Sequence, residues 1–127
     1  MVTWILLALI LAMLAWMGFN YLRIRRAAKI VDNEEFEALI RTGQLIDLRE
    51  PAEFHRKHIL GARNIPSSQL KTSLAALRKD KPVLLYENQR AQRVTNAALY
   101  LKKQGFSEIY ILSYGLDSWK GKVKVEK

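Results

Sequence analysis

Residues 87–93, Glu-Asn-Gln-Arg-Ala-Gln-Arg, hold the densest group of side chains that could do chemistry. They directly follow the apolar run Val83–Tyr86, so we expect them to form a loop at the end of a buried strand. In such a loop the Glu87 carboxylate could act as a general base or a nucleophile, with Asp47 or His58 assisting it. A hydrolase or transferase that uses Glu87 with Asp47 or His58 is therefore one hypothesis. The other is a loop carboxylate that is neutralised by an arginine or bound at the start of the next helix.

Two arginines of the same segment, Arg90 and Arg93, have the charge needed to bind an anion. A helix is predicted from about Gln92 onward, and the first backbone N–H groups of a helix bind anions. The sequence therefore predicts either a small-anion site at Arg90 and Arg93 or a solvated pair of surface arginines.

Cysteine is absent from the whole sequence. This absence excludes disulfides and thiol nucleophiles. It also argues against a zinc site, because His55 and His58 lack a third ligand of the usual kind. We therefore predict no metal site and no cofactor.

The first part of the chain, residues 2–22, contains no charged residue. About 20 helical residues, at about 1.5 Å each, cross a hydrocarbon core of about 30 Å. A cleaved signal peptide would begin with positive charge and end in small residues at a cleavage site, and neither is present. We therefore predict that residues 2–22 are an uncleaved transmembrane anchor in contact with the lipid bilayer.

Basic residues follow this apolar stretch immediately, at Arg23, Arg25, Arg26 and Lys29. Positively charged flanks stay on the cytoplasmic side of a membrane. We therefore predict a single-pass cell-membrane protein with its N-terminus outside, a basic juxtamembrane linker at residues 23–29, and a cytoplasmic domain beyond it.

The whole chain has a formal net charge of +9. Without the four linker residues, 17 basic residues remain against 12 acidic ones, which is a moderate excess. Aromatic residues are not interleaved with the basic ones, and no nucleic-acid motif is found. We therefore predict no nucleic-acid partner, and expect anionic lipid head groups to attract the basic residues.

Short apolar segments alternate with helical patterns over residues 30–127. Asp32 is typical of a helix N-cap, with Glu35 three residues later completing a capping box. Such alternation is typical of an α/β domain with a mostly parallel sheet covered on both faces. Strands are predicted at residues 29–31, 44–48, 83–86 and 109–112, with an edge strand within 58–66. Helices are predicted from Asp32 to Gly43, at 51–54, from Ser67 or Ser68 onward, at 92–104 and at 115–120.

Several motifs of this region occur in a characteristic order. They are Leu-Ile-Asp-Leu-Arg-Glu-Pro-Ala-Glu-Phe at 45–54, His-Ile-Leu-Gly-Ala-Arg-Asn-Ile-Pro at 58–66, the strand that ends at Tyr86, Gly105-Phe106, and Leu-Ser-Tyr-Gly at 112–115 followed by Trp119. Together they resemble a rhodanese-like (sulfurtransferase) domain. The resemblance implies a small three-layer α/β sandwich over residues 30–127.

The resemblance also implies an active loop of the form Cys-x-x-Gly-x-Arg, whose cysteine accepts a sulfur atom as a persulfide. Only a thiolate can do this, and here the loop has none. Counting from the strand places Glu87 at the cysteine position. Counting from the helix places Asn88 there, with Ala91 at the glycine and Arg93 at the arginine. Both alignments lose the glycine, and Tyr114 interrupts the family's later Gly-Gly pair, so the catalytic site is predicted to be degenerate.

Three further residues match family positions with structural roles. Asp47 and Arg49 correspond to an Asp-x-Arg motif, in which they would fix neighbouring loops through a charge-assisted hydrogen bond. His58 opens the His-Ile-x-Gly-Ala turn, where a hydrogen-bonding role is implied.

The sequence as a whole therefore predicts a membrane-anchored rhodanese-like domain without sulfurtransferase activity. It would act as a binding or scaffolding module at the cytoplasmic membrane face, with an unknown protein partner or a small anion as its ligand. The enzyme built on Glu87 remains the alternative, and a subunit of a membrane complex that is recognised through its transmembrane helix is a third possibility.

Overall fold

The computed structural model describes residues 1–88 and 92–125, apart from the side chains of residues 24–26. Its α-helices are α1 Val2–Ala27, α2 Asn33–Ile40, α3 Pro51–Arg56 and α4 Gln92–Lys103. Its strands are β1 Lys29–Val31, β2 Gln44–Asp47, β3 Lys57–Ile59, β4 Arg63–Asn64, β5 Val83–Tyr86, β6 Ile109–Leu112 and β7 Val123–Val125. Three short 3-10 helices complete it: η1 Ser67–Gln69, η2 Lys71–Ala76 and η3 Leu116–Ser118.

Five strands form a parallel sheet in the order β1-β6-β5-β2-β4. The central strand β5 is buried at every position, as expected for a parallel strand covered on both faces. The predicted α/β fold with a mostly parallel sheet is therefore confirmed.

Side chains of β5 alternate between two apolar clusters, because successive residues of a strand point to opposite faces. Val83 and Leu85 pack in a cluster that includes Leu101 of α4. Leu84 and Tyr86 pack in the other cluster, which includes Phe36 of α2. The helices thus cover both faces of the sheet and produce the predicted three layers.

The start of α2 follows the sequence pattern. Asp32 is extended, and its Oδ1 accepts a hydrogen bond of 2.9 Å from the N–H of Glu35. The N-cap predicted at Asp32 is confirmed.

Two local features differ from the sequence prediction. The helix expected from Ser67 or Ser68 is instead a pair of 3-10 helices, η1 and η2. The strand β7 was missed, and it pairs antiparallel with β3 in a small separate sheet. His58 consequently lies within a strand, paired with Lys124, and not in a turn.

Helix α1 contains the predicted anchor. Its segment Val2–Arg23 is long and apolar enough to cross a membrane, with a mean hydropathy of 2.3, and none of it is buried against the rest of the structure. The helix continues to Ala27, through most of the predicted linker, and packs against α4. Ala27 and Ala28 are buried at this junction, so no extended spacer separates the apolar helix from the domain.

Candidate functional site

The carboxyl ends of β2 and β5 meet at one edge of the parallel sheet. Asp47, the last residue of β2, is in register with Tyr86, the last residue of β5. The segment after β2 therefore lies beside the segment after β5, which begins with Glu87 and Asn88. In open α/β sheets this edge is the usual place for a binding site.

Glu87 is buried, with 8% of its surface exposed. Its Oε2 accepts a hydrogen bond of 2.9 Å from the N–H of Val94, in the first turn of α4. The amino end of a helix favours a negative charge, and this bond satisfies one of the N–H groups that have no partner inside the helix. Burial raises the pKa of Glu87 above its ordinary value, although the Val94 N–H and the nearby Arg93 partly offset that shift. The carboxylate therefore caps α4.

Asp47 and Arg49 form a buried ion pair, with exposures of 0% and 5%. The Nη2 of Arg49 lies 2.8 Å from Oδ2 of Asp47, and the backbone N–H of Arg49 donates to Oδ1 at 2.9 Å. Arg49 also donates from Nη2 to the carbonyl oxygen of Lys57, and from Nη1 to Oδ1 of Asn88 at 3.0 Å. One guanidinium group thus connects the ends of β2 and β5 to the start of β3.

Asn88 links the loop to α3. While its Oδ1 accepts from Arg49, its Nδ2 donates to Oε2 of Glu53 at 2.8 Å. Glu53 was not singled out in the sequence, where its only signal was its place in the short helix after the Asp-x-Arg motif. Asn88 and Glu53 make the start of the loop a fixed part of the structure.

The segment after β6 holds the same loop from its other side. The N–H of Leu116 donates to the carbonyl oxygen of Glu87 at 2.8 Å, and the N–H of Asp117 to that of Asn88 at 3.0 Å. Gly115 has a φ of +69°, and a Cβ added there would lie 2.4 Å from the carbonyl oxygen of Asn88. Glycine is therefore required at this close approach.

His58 is committed to a packing role. Its ring stacks on the Phe54 ring, with centroids 3.8 Å apart, and its Nδ1 lies 2.8 Å from the Phe54 carbonyl oxygen. The ring nitrogen therefore donates to that carbonyl, which fixes the tautomer. His55 is exposed, as predicted. In residues 1–88 and 92–125, no three histidine or acidic side chains are grouped to hold a metal ion.

A cavity of about 430 Å³ opens beside the loop. Its lining combines three basic side chains, two acidic ones, an amide and a leucine: Arg49, Glu53, Arg56, Lys57, Asn88, Leu116 and Asp117. None of the three groups considered for catalysis, Glu87, Asp47 and His58, is in this lining. Nor does any of them bond to another in the described part of the chain. Neither of the two cavities lined by described residues therefore brings these three groups together.

The predicted anion pair is only partly within the described residues. Gln89, Arg90 and Ala91 lie outside them, so the pairing of Arg90 with Arg93 stays a prediction. Arg93 itself is exposed on the first turn of α4 and lines a second cavity. Gln92, the first residue of α4, donates from Nε2 to Oδ1 of Asn96 at 2.9 Å.

Comparison with known proteins gives concordant matches over this region. A family model described as Rhodanese-like domain matches residues 32–122, which include the loop, its neighbours and η3. The YqhL protein of Bacillus subtilis is 47% identical over 123 residues, 97% of each chain, so the match includes most of α1. The thiosulfate sulfurtransferase GlpE of Stutzerimonas stutzeri is 35% identical over 95 residues, 72% of this chain and 84% of the relative.

A solved structure agrees with these matches. A rhodanese-related protein from Thermoplasma volcanium superposes with a TM-score of 0.70 at 25% identity, over 77% of this chain and 99% of the other.

Proposed function

This chain belongs to the rhodanese-like domain family, and from this premise we propose that it is a member that does not transfer sulfur and acts as a membrane-anchored binding module. The family assignment rests on the match over residues 32–122 and on the sulfurtransferase relative. It confirms the resemblance found in the sequence motifs.

The absence of cysteine carries the proposal. Sulfur transfer through a persulfide needs a thiolate that attacks the donor and then carries a transferable S–S bond. At the end of β5 the chain offers instead a buried carboxylate, Glu87, whose Oε2 is bonded to the Val94 N–H. A carboxylate cannot carry sulfane sulfur, and this one already has a structural partner.

The cavity beside the loop supports binding as the retained role. Arg56 and Lys57 are exposed at its edge, while Arg49 and Asn88 are fixed in its wall by hydrogen bonds. A wall of hydrogen-bonded side chains with exposed cations at the rim suits a protein segment that bears acidic side chains, or a small anion. We propose that the partner binds there.

Helix α1 supports a membrane location for this module. Its apolar length fits one crossing, and the basic residues that follow it favour a cytoplasmic domain with the N-terminus outside. A partner would then be held close to the inner membrane surface.

No observation favours the alternative enzyme. A general base needs to reach a substrate, directly or through one water. Asp47 is fully buried against Arg49, His58 is stacked on Phe54, and Glu87 caps α4.

Sulfurtransferase assays test the missing activity. The full chain in detergent micelles, incubated with thiosulfate and cyanide, should form thiocyanate only at the rate of the protein-free control. The variants Glu87→Cys and Asn88→Cys restore a thiol at the two candidate positions, and a gain of activity in one of them would identify the position that matches the family cysteine. Thiocyanate formation by the unsubstituted chain above background would refute the proposal.

Site-specific crosslinking tests the binding role. A photoreactive residue placed at Arg56 should capture a discrete partner in intact membranes, whereas the same residue at exposed Lys103, at the end of α4, should not. Equal capture from both positions, or none from Arg56, would contradict partner binding at this cavity.

A further inference from the structure

A second cavity, of about 250 Å³, lies between η1 and α4 and shares no lining residue with the first. Its polar lining consists of Ser67, Ser68, Lys71, Arg93, Asn96 and Tyr100. The remaining lining is apolar, from Leu70 and Ala97, both of which are buried. The cavity is thus a small polar depression on an apolar floor.

The described lining of this cavity contains two positive side chains and no negative one. Lys71 and Arg93 are exposed and positive, and no carboxylate lines the cavity. Among the described residues neither of them forms an ion pair, since the pairs there involve Lys29, Arg49 and Arg78. Arg93 lies close enough to Glu87 to offset part of the rise in the pKa of that carboxyl group, but Glu87 is outside the lining and is bonded to the Val94 N–H. Two cations that share a concave surface attract an anion.

Neutral donors stand beside the two cations. Asn96 uses its Oδ1 to accept from Gln92, which leaves its NH₂ group to donate into the cavity. The hydroxyl groups of Ser67 and Ser68 can donate as well. The Lys71 ammonium lies 5.5 Å from the centre of the Tyr100 ring, a contact that holds the charge in place without a carboxylate.

We propose that this cavity binds a phosphate group. Two cations, two hydroxyls and an amide match the double charge and the three acceptor oxygens of a phosphate monoester. The volume is smaller than that of pockets for drug-sized ligands, which favours a small phosphate or a lipid head group over a nucleotide. The cavity lies beside α4, the helix against which the apolar helix α1 packs. The phosphate group could therefore come from a membrane lipid or from a free phosphate in solution. The proposal does not depend on the absence of sulfur transfer.

Nuclear magnetic resonance of the full chain in phosphatidylcholine nanodiscs tests this site. Inorganic phosphate should shift the backbone amide signals of Ser67 and Asn96 saturably. The double variant Lys71→Gln/Arg93→Gln should bind about tenfold more weakly or worse, because each charged hydrogen bond contributes to affinity. The control Lys79→Gln/Arg41→Gln removes the same number of positive charges from exposed positions outside both cavities. Lys79 also contacts an aromatic ring, that of Phe106, as Lys71 contacts Tyr100. It should bind like the unsubstituted chain.

A second arm identifies the source of the phosphate. If nanodiscs containing phosphatidic acid shift the same signals without added phosphate, and Lys71→Gln/Arg93→Gln abolishes that shift, the site takes a lipid head group. If only inorganic phosphate shifts them, it takes a free phosphate. No shift in either arm, or equal shifts in the cavity variant and the control, would overturn the proposal. Should the double variant fail to fold, Lys71→Gln and Arg93→Gln are compared singly with Lys79→Gln.

Discussion

Glu87 connects the end of β5 to the first turn of α4 through its side chain. Its carboxylate is almost fully buried and bonded to the Val94 N–H, so it supplies a negative charge at the amino end of the helix. A persulfide held by backbone N–H groups would also be an anion. In this chain a fixed side chain provides the charge, which is consistent with a scaffold retained without its chemistry.

Substitution at Glu87 separates its hydrogen bond from its charge. Glu87→Ala should lower the free energy of unfolding by about 1 kcal/mol, as loss of a helix cap does. Glu87→Gln keeps an acceptor for Val94 and removes only the charge, which burial disfavours, so it should cost little or no stability. Thermal unfolding of the chain in detergent micelles measures both, and an equal loss in the two variants would contradict this division.

The pH dependence of Glu87→Gln follows from the direction of the pKa shift. Burial raises the pKa of Glu87 in the folded chain, so folding favours the protonated form of this side chain. The stability contributed by this preference is full below the unfolded-state pKa of Glu87 and is lost as the pH rises through its folded-state pKa. The melting temperature of Glu87→Gln should therefore rise relative to the unsubstituted chain as the pH increases above the ordinary pKa of a glutamate, about 4.3. Glu37→Gln, at an exposed position of α2, should show no such trend. A trend of opposite sign would show that hydrogen bonding outweighs burial.

The Asp47–Arg49 pair has a matched control within the chain. Arg49→Met leaves the fully buried Asp47 without its partner, which should lower the free energy of unfolding by about 3–5 kcal/mol. Arg78 forms the same type of pair with Asp80, also two residues away in sequence, but on the exposed surface. Arg78→Met should therefore cost much less, because water screens that pair. Similar losses in the two variants, measured by urea denaturation, would mean that burial does not set the strength of the pair.

At the scale of elements, the site depends on segments that are distant in sequence. The start of the loop after β5, Glu87 and Asn88, is held by the segment after β2, by α3 and by η3. These hydrogen bonds involve three different segments, so the positions of Glu87 and Asn88 depend on how the elements pack.

Gly115 tests the contact between the η3 segment and the loop. Gly115→Ala places a Cβ 2.4 Å from the Asn88 carbonyl oxygen at a positive φ, and should cost about 3 kcal/mol from strain and overlap together. Gly61 also has a positive φ, of +92°, but a Cβ there meets no atom within 4 Å. Gly61→Ala should cost only the strain, about 1 kcal/mol. The urea midpoint of each variant is measured by far-ultraviolet circular dichroism. Equal shifts in the two variants would show that the Asn88 contact adds nothing to the cost of the substitution.

At the scale of the whole molecule, α1 and the domain are joined without an extended spacer. The helix runs to Ala27, where it packs against α4, and β1 begins at Lys29. If α1 crosses the membrane as proposed, the domain is held at the membrane surface.

Because the chain has no native cysteine, single cysteines can report its orientation. Thr3→Cys should react with a membrane-impermeant maleimide in intact cells, since the N-terminus is proposed to lie outside. Lys120→Cys should react only after the cells are permeabilised. The reverse pattern would overturn the orientation, and labelling of both positions in intact cells would place the domain outside the cytoplasm.

Patterns local in sequence predicted much of the fold. The Asp32 cap, the strand Val83–Tyr86 and helix α4 follow from residue types within a few positions of one another. Strand β7 was missed because three residues, two of them exposed, carry little signal, and their structure comes from pairing with β3. The partners of Asn88, and the cavity that they line, could not be predicted for the same reason.

The sequence by itself determined the family and the absence of a thiol, because motif order and residue types are properties of the chain alone. Only the tertiary structure decided what Glu87 does. The hydrogen-bond donor to Glu87, the N–H of Val94, is seven positions away in the sequence. The burial that raises the pKa of Glu87 comes from packing around the end of β5. Burial and hydrogen bonding depend on which segments the fold brings together in space, and a linear pattern does not specify that.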